Sequence, residues 1–99
     1  MLSSGYVPLL PAGHMMYVEF LGIPRQRAGV SDLEVQAETL GQLLETLALR
    51  CPALKELLSA DGLHPSIAAN LNGDEFVSAL ETPLVESDRL LLLSADAGG

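Results

Sequence analysis

Apolar residues follow two different periods along this chain, and each change of period marks a new element. Residues 15–23, MMYVEFLGI, are almost continuously apolar, β-branched or aromatic, which predicts a strand in the middle of a sheet. Residues 32–37, DLEVQA, alternate apolar and polar positions, which predicts a half-buried strand. The segment between them, PRQRAGVS, contains Pro24 and Gly29 and is interpreted as turn material, so that the two strands form a hairpin.

A helical period follows the second strand. Four leucines recur on one face of this segment, at Leu40, Leu43, Leu44 and Leu47. Thr39 and Gln42 stand at capping-box positions, so we expect the helix to begin at Thr39, and Pro52 ends it. The next segment, ALKELLSADG, repeats the spacing weakly and predicts a second short helix that stops at Gly62.

The last third of the chain returns to strand patterns. Residues 67–71 are predicted as a strand, and NGDE at 72–75 predicts a tight turn because Asn and Gly tolerate positive φ. The next two apolar residues, Phe76 and Val77, return as a short strand. A loop with a helical turn around Pro83 is expected next. The continuously apolar DRLLLLSA is predicted as a last strand that is buried on both faces.

This order of elements predicts a single α+β domain over residues 15–93. The first and last strands are the most apolar, so both belong in the middle of a mixed sheet of four to five strands, with the main helix packed on one face. Side by side, these two strands run parallel and are joined through the helix. That arrangement is the β-grasp, the architecture of ubiquitin. Residues 94–99 are expected to form a flexible tail.

Residues 1–14 differ from the domain, because they combine Ser, Gly and Pro without periodicity. We expect a flexible leader here. The letters SSG and GHM resemble remnants of an expression vector, which would place the natural start at Met15 or Met16; a natural leader is the alternative. The leader lacks the basic start and long apolar run of a secretory signal. No stretch of the sequence approaches the roughly 18 apolar residues of a membrane span.

Composition narrows the classes of function. The 99 residues are 48% hydrophobic and 18% charged, which predicts a folded chain. The formal net charge of −8 argues against nucleic acid and anionic membranes as partners. Solubility explains this charge, and steering toward a basic partner surface is the functional alternative. The single cysteine, Cys51, excludes an internal disulfide framework and fits a reducing, cytoplasmic location.

Conventional catalytic and metal sites have little support in the sequence. His14 and His64 are isolated from other ligands, so we expect no metal site. The sequence contains neither a Gly-rich phosphate loop in a strand-to-helix context nor a nucleophile elbow. Asp74 and Glu75 border a turn, where solvation explains two carboxylates; a general acid–base pair is the alternative.

The C-terminal letters LLLLSADAGG carry a stronger chemical signal. SAD leads away from the last strand, and the chain ends on Gly98 and Gly99. Without a Cβ, two successive glycines form a thread thin enough to enter a narrow active site in another protein. The carboxylate of Gly99 would then be the group delivered. It is a poor acyl donor until it is activated, for example as an acyl-adenylate.

These features resemble the bacterial ubiquitin-like sulfur carriers. That family includes the small subunit of molybdopterin synthase, the thiamine-biosynthesis sulfur carrier, and carriers for cysteine or sulfur-containing natural products. The resemblance covers roughly residues 16–99. It rests on VEFLGIPRQRAGVSDLEV, TLGQLLETLALRCPAL, LNGDEF, TPLVESDRLLLL and the final AGG.

The resemblance implies that Gly99 is the reacting residue. An E1-like adenylating enzyme using ATP and magnesium would activate its carboxylate, and a persulfide from a sulfurtransferase would convert it to a thiocarboxylate. The thiocarboxylate would attack a substrate held by a synthase partner, such as the large subunit of molybdopterin synthase. Asp96, Ala97 and Gly98 would form the tail that enters the partner. The chain would be a protein co-substrate rather than an enzyme, with no cofactor of its own.

The branch of the family stays open. The segment ALKELLSADG makes the domain longer than the thiamine carriers, which favours the molybdopterin type. The approach to the tail, LSADAGG, lacks the aromatic or proline residues common in that type, so carriers for thiamine, cysteine or a natural product are alternatives. A protein modifier joined through Gly99 to lysines is another; Lys55 is the only lysine here. The last alternative is an interaction domain with incidental glycines.

Partner contacts are expected on the exposed part of the sheet near the last strand, since the tail leaves from there. Arg89 lies close to that strand and would help to dock an acidic surface, although a solvated arginine opposing Asp88 explains it better. The pattern does not decide which leucines of 90–93 face outward.

Overall fold

A computed structural model describes residues 13–59 and 62–95. Two helices, a 3₁₀ turn and seven strands follow one another in this part of the chain. They are β1 (His14–Phe20), α1 (Ile23–Ala28), β2 (Asp32–Ala37), α2 (Leu40–Arg50), the 3₁₀ turn (Pro52–Leu54), β3 (Leu58–Ser59), β4 (Gly62–Leu63), β5 (Ile67–Leu71), β6 (Glu75–Phe76) and β7 (Arg89–Ser94).

Five of the strands form one mixed sheet in the order β2-β1-β7-β5-β6. β1 and β7 lie next to each other in the middle and run parallel, with Tyr17 opposite Arg89 and Phe20 opposite Leu92. The other neighbours in this sheet are antiparallel. The predicted β-grasp fold, its central strands and their direction are therefore confirmed.

The hydrophobic core lies between this sheet and α2. The helix buries its four leucines, as its periodicity predicts, because residues three and four apart share one face. β1 contributes every second side chain, Met16, Val18 and Phe20, each at most 1% exposed. β7 adds Leu90 and Leu92. The core is almost entirely aliphatic, and its side chains pack the two central strands against α2.

The start of α2 agrees with the predicted cap. The Thr39 hydroxyl accepts a hydrogen bond from the backbone N–H of Gln42 at 3.2 Å. The Gln42 side chain reaches back one residue beyond the cap, where it accepts from the backbone N–H of Glu38 at 2.8 Å. The N–H groups of Leu40 and Gly41 donate to carbonyls of the loop at 77–88. The helix start therefore also fixes the loop that leads to β7.

The segment between β1 and β2 contains helix α1, so the interpretation as turn material was wrong. Pro24 lies in the first turn of α1, and Gly29 ends the helix at φ 78° with its N–H donating to the Arg25 carbonyl. Proline suits the first turn of a helix and glycine the residue after its end. The two residues that indicated a turn are the ones that delimit a short helix.

The second predicted helix is also wrong in the described residues. After Pro52 the chain makes a 3₁₀ turn and then the small antiparallel pair β3–β4, in which Gly62 is a strand residue. Leu54, Leu57 and Leu58 are nevertheless all buried. Their spacing suits a helix, but it equally suits a series of turns closed by i→i−3 hydrogen bonds. One such bond runs from the N–H of Leu57 to the carbonyl of Leu54 at 2.8 Å.

Smaller boundaries differ as well. β1 begins at His14, the last residue of the predicted leader. The predicted turn after β5 is confirmed, with Asn72 at φ 57° and Gly73 at φ 74°. The helical turn expected around Pro83 is absent from the described loop, where Pro83 forms an isolated bridge with Thr39.

The sheet face opposite α2, called the outer sheet face, is not fully covered. The prediction that β7 is buried on both faces holds for Leu93, which is 8% exposed, but not for Leu91, which is half-buried. On the β1–β2 side this face carries Glu19, which lies opposite Asp32 in the antiparallel register. Both carboxylates are exposed. Like charges directly opposite each other weaken a sheet.

The cap on α2 should contribute measurably to stability. We expect Thr39→Ala to lower the free energy of unfolding by about 1 kcal/mol, because the N–H of Gln42 loses its side-chain acceptor. Chemical denaturation measures the loss. Thr46→Ala inside the same helix is the matched control and should cost nothing, because alanine is the better helix former there. Equal losses in the two variants would contradict a specific role of the cap.

Removing one carboxylate of the cross-strand pair should stabilise the protein. We expect Glu19→Gln to raise the free energy of unfolding by about 0.2–1 kcal/mol, most at low salt, because repulsion with Asp32 is relieved. Glu75→Gln removes the same charge at a position opposite Leu71 and is the control. An equal gain in the control and in Glu19→Gln would show that only the total charge matters and would contradict a specific repulsion.

Candidate functional site

The predicted tail begins where β7 ends, beside α1 and β5. Ser94 is the last residue of β7 and Ala95 follows it as the last residue that the structure describes at this end. The predicted reacting residue Gly99 and the predicted tail residues Asp96, Ala97 and Gly98 lie outside the described residues. Their roles stay predictions, and the structure contributes the part of the domain from which they continue.

On one side, the end of β7 is attached to the start of α1. The backbone N–H of Ile23 donates to the Ser94 hydroxyl oxygen at 2.8 Å. Two residues earlier in both segments, the N–H of Leu21 donates to the Leu92 carbonyl at 2.9 Å. The connection between β1 and α1 therefore continues the parallel pairing past the last residue of β1.

Gly22 allows this close approach. Its φ is +64°, a conformation that residues with a Cβ rarely adopt. A Cβ on Gly22 would lie only 2.4 Å from the Ser94 hydroxyl oxygen, far inside van der Waals contact. The sequence at position 22 is thus constrained both by its own backbone and by Ser94.

On the other side, β7 is attached to the turn before β5. The N–H of Ala95 donates to the Ser66 carbonyl at 2.7 Å, and Ser94 pairs with Ile67 in the register. Ser66 is itself held by His64, whose Nδ1 accepts from the Ser66 backbone N–H at 3.1 Å and lies 2.8 Å from its hydroxyl oxygen. His64 therefore fixes a turn.

The outer sheet face leads to the same exit and has two halves. The half formed by β5, β6 and β7 is mainly apolar: Ala68, Phe76, Leu91 and Leu93 lie around one polar residue, Asn70, which is opposite both Phe76 and Leu91. Phe76 is 63% exposed. The half formed by β1 and β2 carries three exposed acidic side chains, Glu19, Asp32 and Glu34. A face with an apolar part and an acidic part is typical of a protein-binding surface.

Arg89 lies between the two halves and does not oppose Asp88, as the sequence suggested. Its guanidinium is 5.3 Å from the centre of the Tyr17 ring, a cation–π distance. Asp88 instead accepts hydrogen bonds from the Asn72 amide at 2.9 Å and from the Val85 N–H at 2.8 Å. The side-chain oxygen of Asn72, Oδ1, in turn accepts from the backbone N–H of Arg89. This network fixes the start of β7 against the turn before β6.

The other candidates of the sequence analysis form no site in the described part of the chain. Asp74 and Glu75 lie exposed at the turn before β6. Among residues 13–59 and 62–95, no three His, Cys, Asp or Glu side chains are grouped so that they could hold a metal ion. Within the same ranges, no helix has the length and apolar character needed to cross a membrane.

Sequence reasoning missed Gly22, Ser66 and Ser94 as residues that shape the tail exit. Ser94 was included in the predicted last strand, which is confirmed, but the domain division also counted it as the first tail residue, and its hydroxyl, which has a backbone partner, was not recognised. The glycine immediately before Ile-Pro was the available signal, because a glycine there permits positive φ at the entry to a helix. Nothing in the sequence indicates which residue contacts it.

Comparisons with known proteins identify related carriers and modifiers. The model of the ThiS family matches residues 18–99. No curated protein sequence is significantly similar to the chain. Among solved structures, the small archaeal modifier protein 1 of Methanosarcina acetivorans is 29% identical, covers 88% of this chain and 100% of its own, and has a TM-score of 0.71.

Two further structures come from complexes. A chain of the BexX/CysO complex of Amycolatopsis orientalis is 28% identical, with 85% of this chain and 99% of that chain covered and a TM-score of 0.70. A chain of the complex between subunits 1 and 2 of the molybdopterin-converting factor of Helicobacter pylori is also 28% identical, with 86% and 99% covered and a TM-score of 0.60.

The family match therefore spans most of the chain, from the middle of β1 through the residues that follow β7. The fold agrees with it, and members of this family are small carrier proteins rather than catalysts. The chain belongs to the ThiS family and is a ubiquitin-like protein of the sulfur carrier and modifier type.

Proposed function

We propose that this chain carries sulfur as a thiocarboxylate on Gly99 and serves as the small subunit of a molybdopterin synthase. The observation that carries the first part is the ThiS family match, which extends through Gly99, the residue that would bear the sulfur. The well-anchored end of β7 supports it, because a short tail delivers its end group best from a rigid body. Similarity to a chain of the Helicobacter pylori complex supports the second part.

The proposed chemistry needs an activating partner. An E1-like enzyme with ATP and magnesium would join the Gly99 carboxylate to AMP and release pyrophosphate. A sulfurtransferase persulfide would then attack the acyl carbon and displace AMP, and a thiol would cleave the resulting acyl disulfide to leave the thiocarboxylate. The chain itself would supply the carboxylate and the docking surface. A cycle that depends on ATP and persulfides suits the cytoplasm, which the single cysteine also favours.

The outer sheet face is the proposed docking surface for these partners. Its apolar half ends at Leu93, next to the tail exit, so a partner bound there would have the tail within reach. Four residues follow Ala95, and four extended residues span at most about 14 Å. The acidic half would attract a basic surface and speed encounter, in agreement with the net charge of −8.

The proposed sulfur loading is testable by intact mass. With the cognate E1-like enzyme, ATP, magnesium and a sulfur donor, we expect the mass to rise by one exchange of oxygen for sulfur. Deletion of Gly99 should abolish the exchange, because the preceding carboxylate would stop short of the adenylation site. Asp74→Asn is the control and should load normally. Absence of exchange in the wild-type chain with its cognate activator would refute the proposal.

A protein modifier is the second candidate, supported by the 29% identity to a small archaeal modifier protein over 100% of that protein's chain. Adenylation is common to both functions, but a modifier ends as an amide bond between Gly99 and an amine. We expect no adducts that survive reduction on a denaturing gel when the wild-type chain is activated among cellular proteins. Reduction-resistant adducts that disappear on deletion of Gly99 would favour the modifier.

A further inference from the structure

We propose that Ser94 and Gly22 form an exit clamp that fixes the direction in which the tail leaves the domain, and that Ser94 is thereby a positioning residue for activation of Gly99. This inference rests on the proposed function, because it assumes that the tail must enter a partner's active site. The physical claim about the end of β7 stands on contacts within the described residues.

The clamp acts on two sides of β7. Toward α1, the Ser94 hydroxyl accepts from the N–H of Ile23 at 2.8 Å. Toward β5, the N–H of Ala95 donates to the Ser66 carbonyl at 2.7 Å. Two hydrogen bonds from opposite directions at adjacent residues restrict rotation of the strand end in the plane of the sheet. Ser94 and Ala95 are therefore both held against their neighbours.

Gly22 determines how closely the α1 side of the clamp can approach. Because a Cβ at this position would lie 2.4 Å from the Ser94 hydroxyl oxygen and 3.2 Å from the Ser94 Cβ, any side chain would displace Ser94. The positive φ of Gly22 also turns the following N–H toward that hydroxyl. Gly22 and Ser94, from distant parts of the chain, thus depend on each other for this contact.

The clamp matters because the sequence offers no other means of directing the tail. Residues 94–99, SADAGG, contain no proline, whose ring would restrict φ. Without the clamp, the number of residues between the last anchored position and Gly99 would grow from four to about six. The effective concentration of a tethered group falls roughly as the −3/2 power of tether length, which predicts about a twofold loss. Lost alignment at the adenylation site adds to it.

The test compares Ser94→Ala with three other variants in adenylation kinetics. The cognate E1-like enzyme is assayed by ATP–pyrophosphate exchange over a range of carrier concentrations. We expect Ser94→Ala to lower kcat roughly 3- to 10-fold with KM for the carrier unchanged, because the outer sheet face is intact. Ser94→Thr keeps a hydroxyl and should restore at least half of kcat. Gly22→Ala should act at least as strongly as Ser94→Ala, because its Cβ displaces Ser94.

Ser87→Ala is the matched control, because Ser87 is exposed in the loop before β7, at the opposite end of that strand from the exit. It should leave both kinetic constants unchanged. Thermal melting of each variant shows whether the domain is folded at the assay temperature. Should Gly22→Ala fail to fold, Ser94→Ala still decides the question, because it only removes the hydroxyl that accepts from Ile23.

Two results would overturn the clamp. One is an unchanged kcat for Ser94→Ala; the other is a rise in KM at constant kcat, which would make Ser94 a docking residue. Failure of the step that the clamp serves looks different, because a wild-type chain whose Gly99 is not adenylated would show no exchange at all. In that event the ¹⁵N heteronuclear NOE of the Ala95 amide still tests the clamp. It should fall in Ser94→Ala relative to wild type, and an unchanged value would refute the clamp.

Discussion

The parallel pairing of β1 and β7 is the interaction on which the rest of the structure depends. It joins the first and last elements of the domain, and all the other elements lie in the chain between these two strands. β2 attaches to the free side of β1 and β5 to the free side of β7, while α2 covers the core face of both. The pairing even continues beyond β1, where Leu21 donates to Leu92. A tail that leaves β7 is thus anchored in the most buried part of the fold.

The sequence predicted correctly those elements whose pattern of apolar and polar residues fits only one type of secondary structure. The alternation in DLEVQA, the leucine stripe of α2 with its Thr39 cap, and the Asn72–Gly73 turn all agree with the structure. The failures share a cause. Prolines and glycines end one element and begin the next, and their letters do not say whether a turn or a six-residue helix lies between them. The helix predicted from the leucines after Pro52 is wrong for a similar reason, because a series of turns can bury these side chains as well as a helix can.

The candidate site also has features that the sequence predicts and features that only the structure shows. The role predicted for Gly99 came from the sequence, because two successive glycines shortly after an apolar strand can be read without a structure. The contacts that control where that carboxylate goes could not be predicted, since they join Gly22 and Ile23 to Ser94 across the whole chain. The two halves of the outer sheet face were hidden for a similar reason. Only the register shows that Glu19 faces Asp32 while Leu91 faces Asn70.

The direction of β1 relative to β7 has a practical consequence for handling this protein. Because the two strands are parallel and Tyr17 lies level with Arg89, His14 stands three residues behind the start of β7 and Ser94 stands at its far end. At about 3.3 Å per residue, the two positions are roughly 25 Å apart. A fluorophore, an affinity handle or a surface attachment joined to the chain at His14 would therefore lie at the opposite end of the sheet from the tail exit, which leaves that exit open to partners during binding measurements.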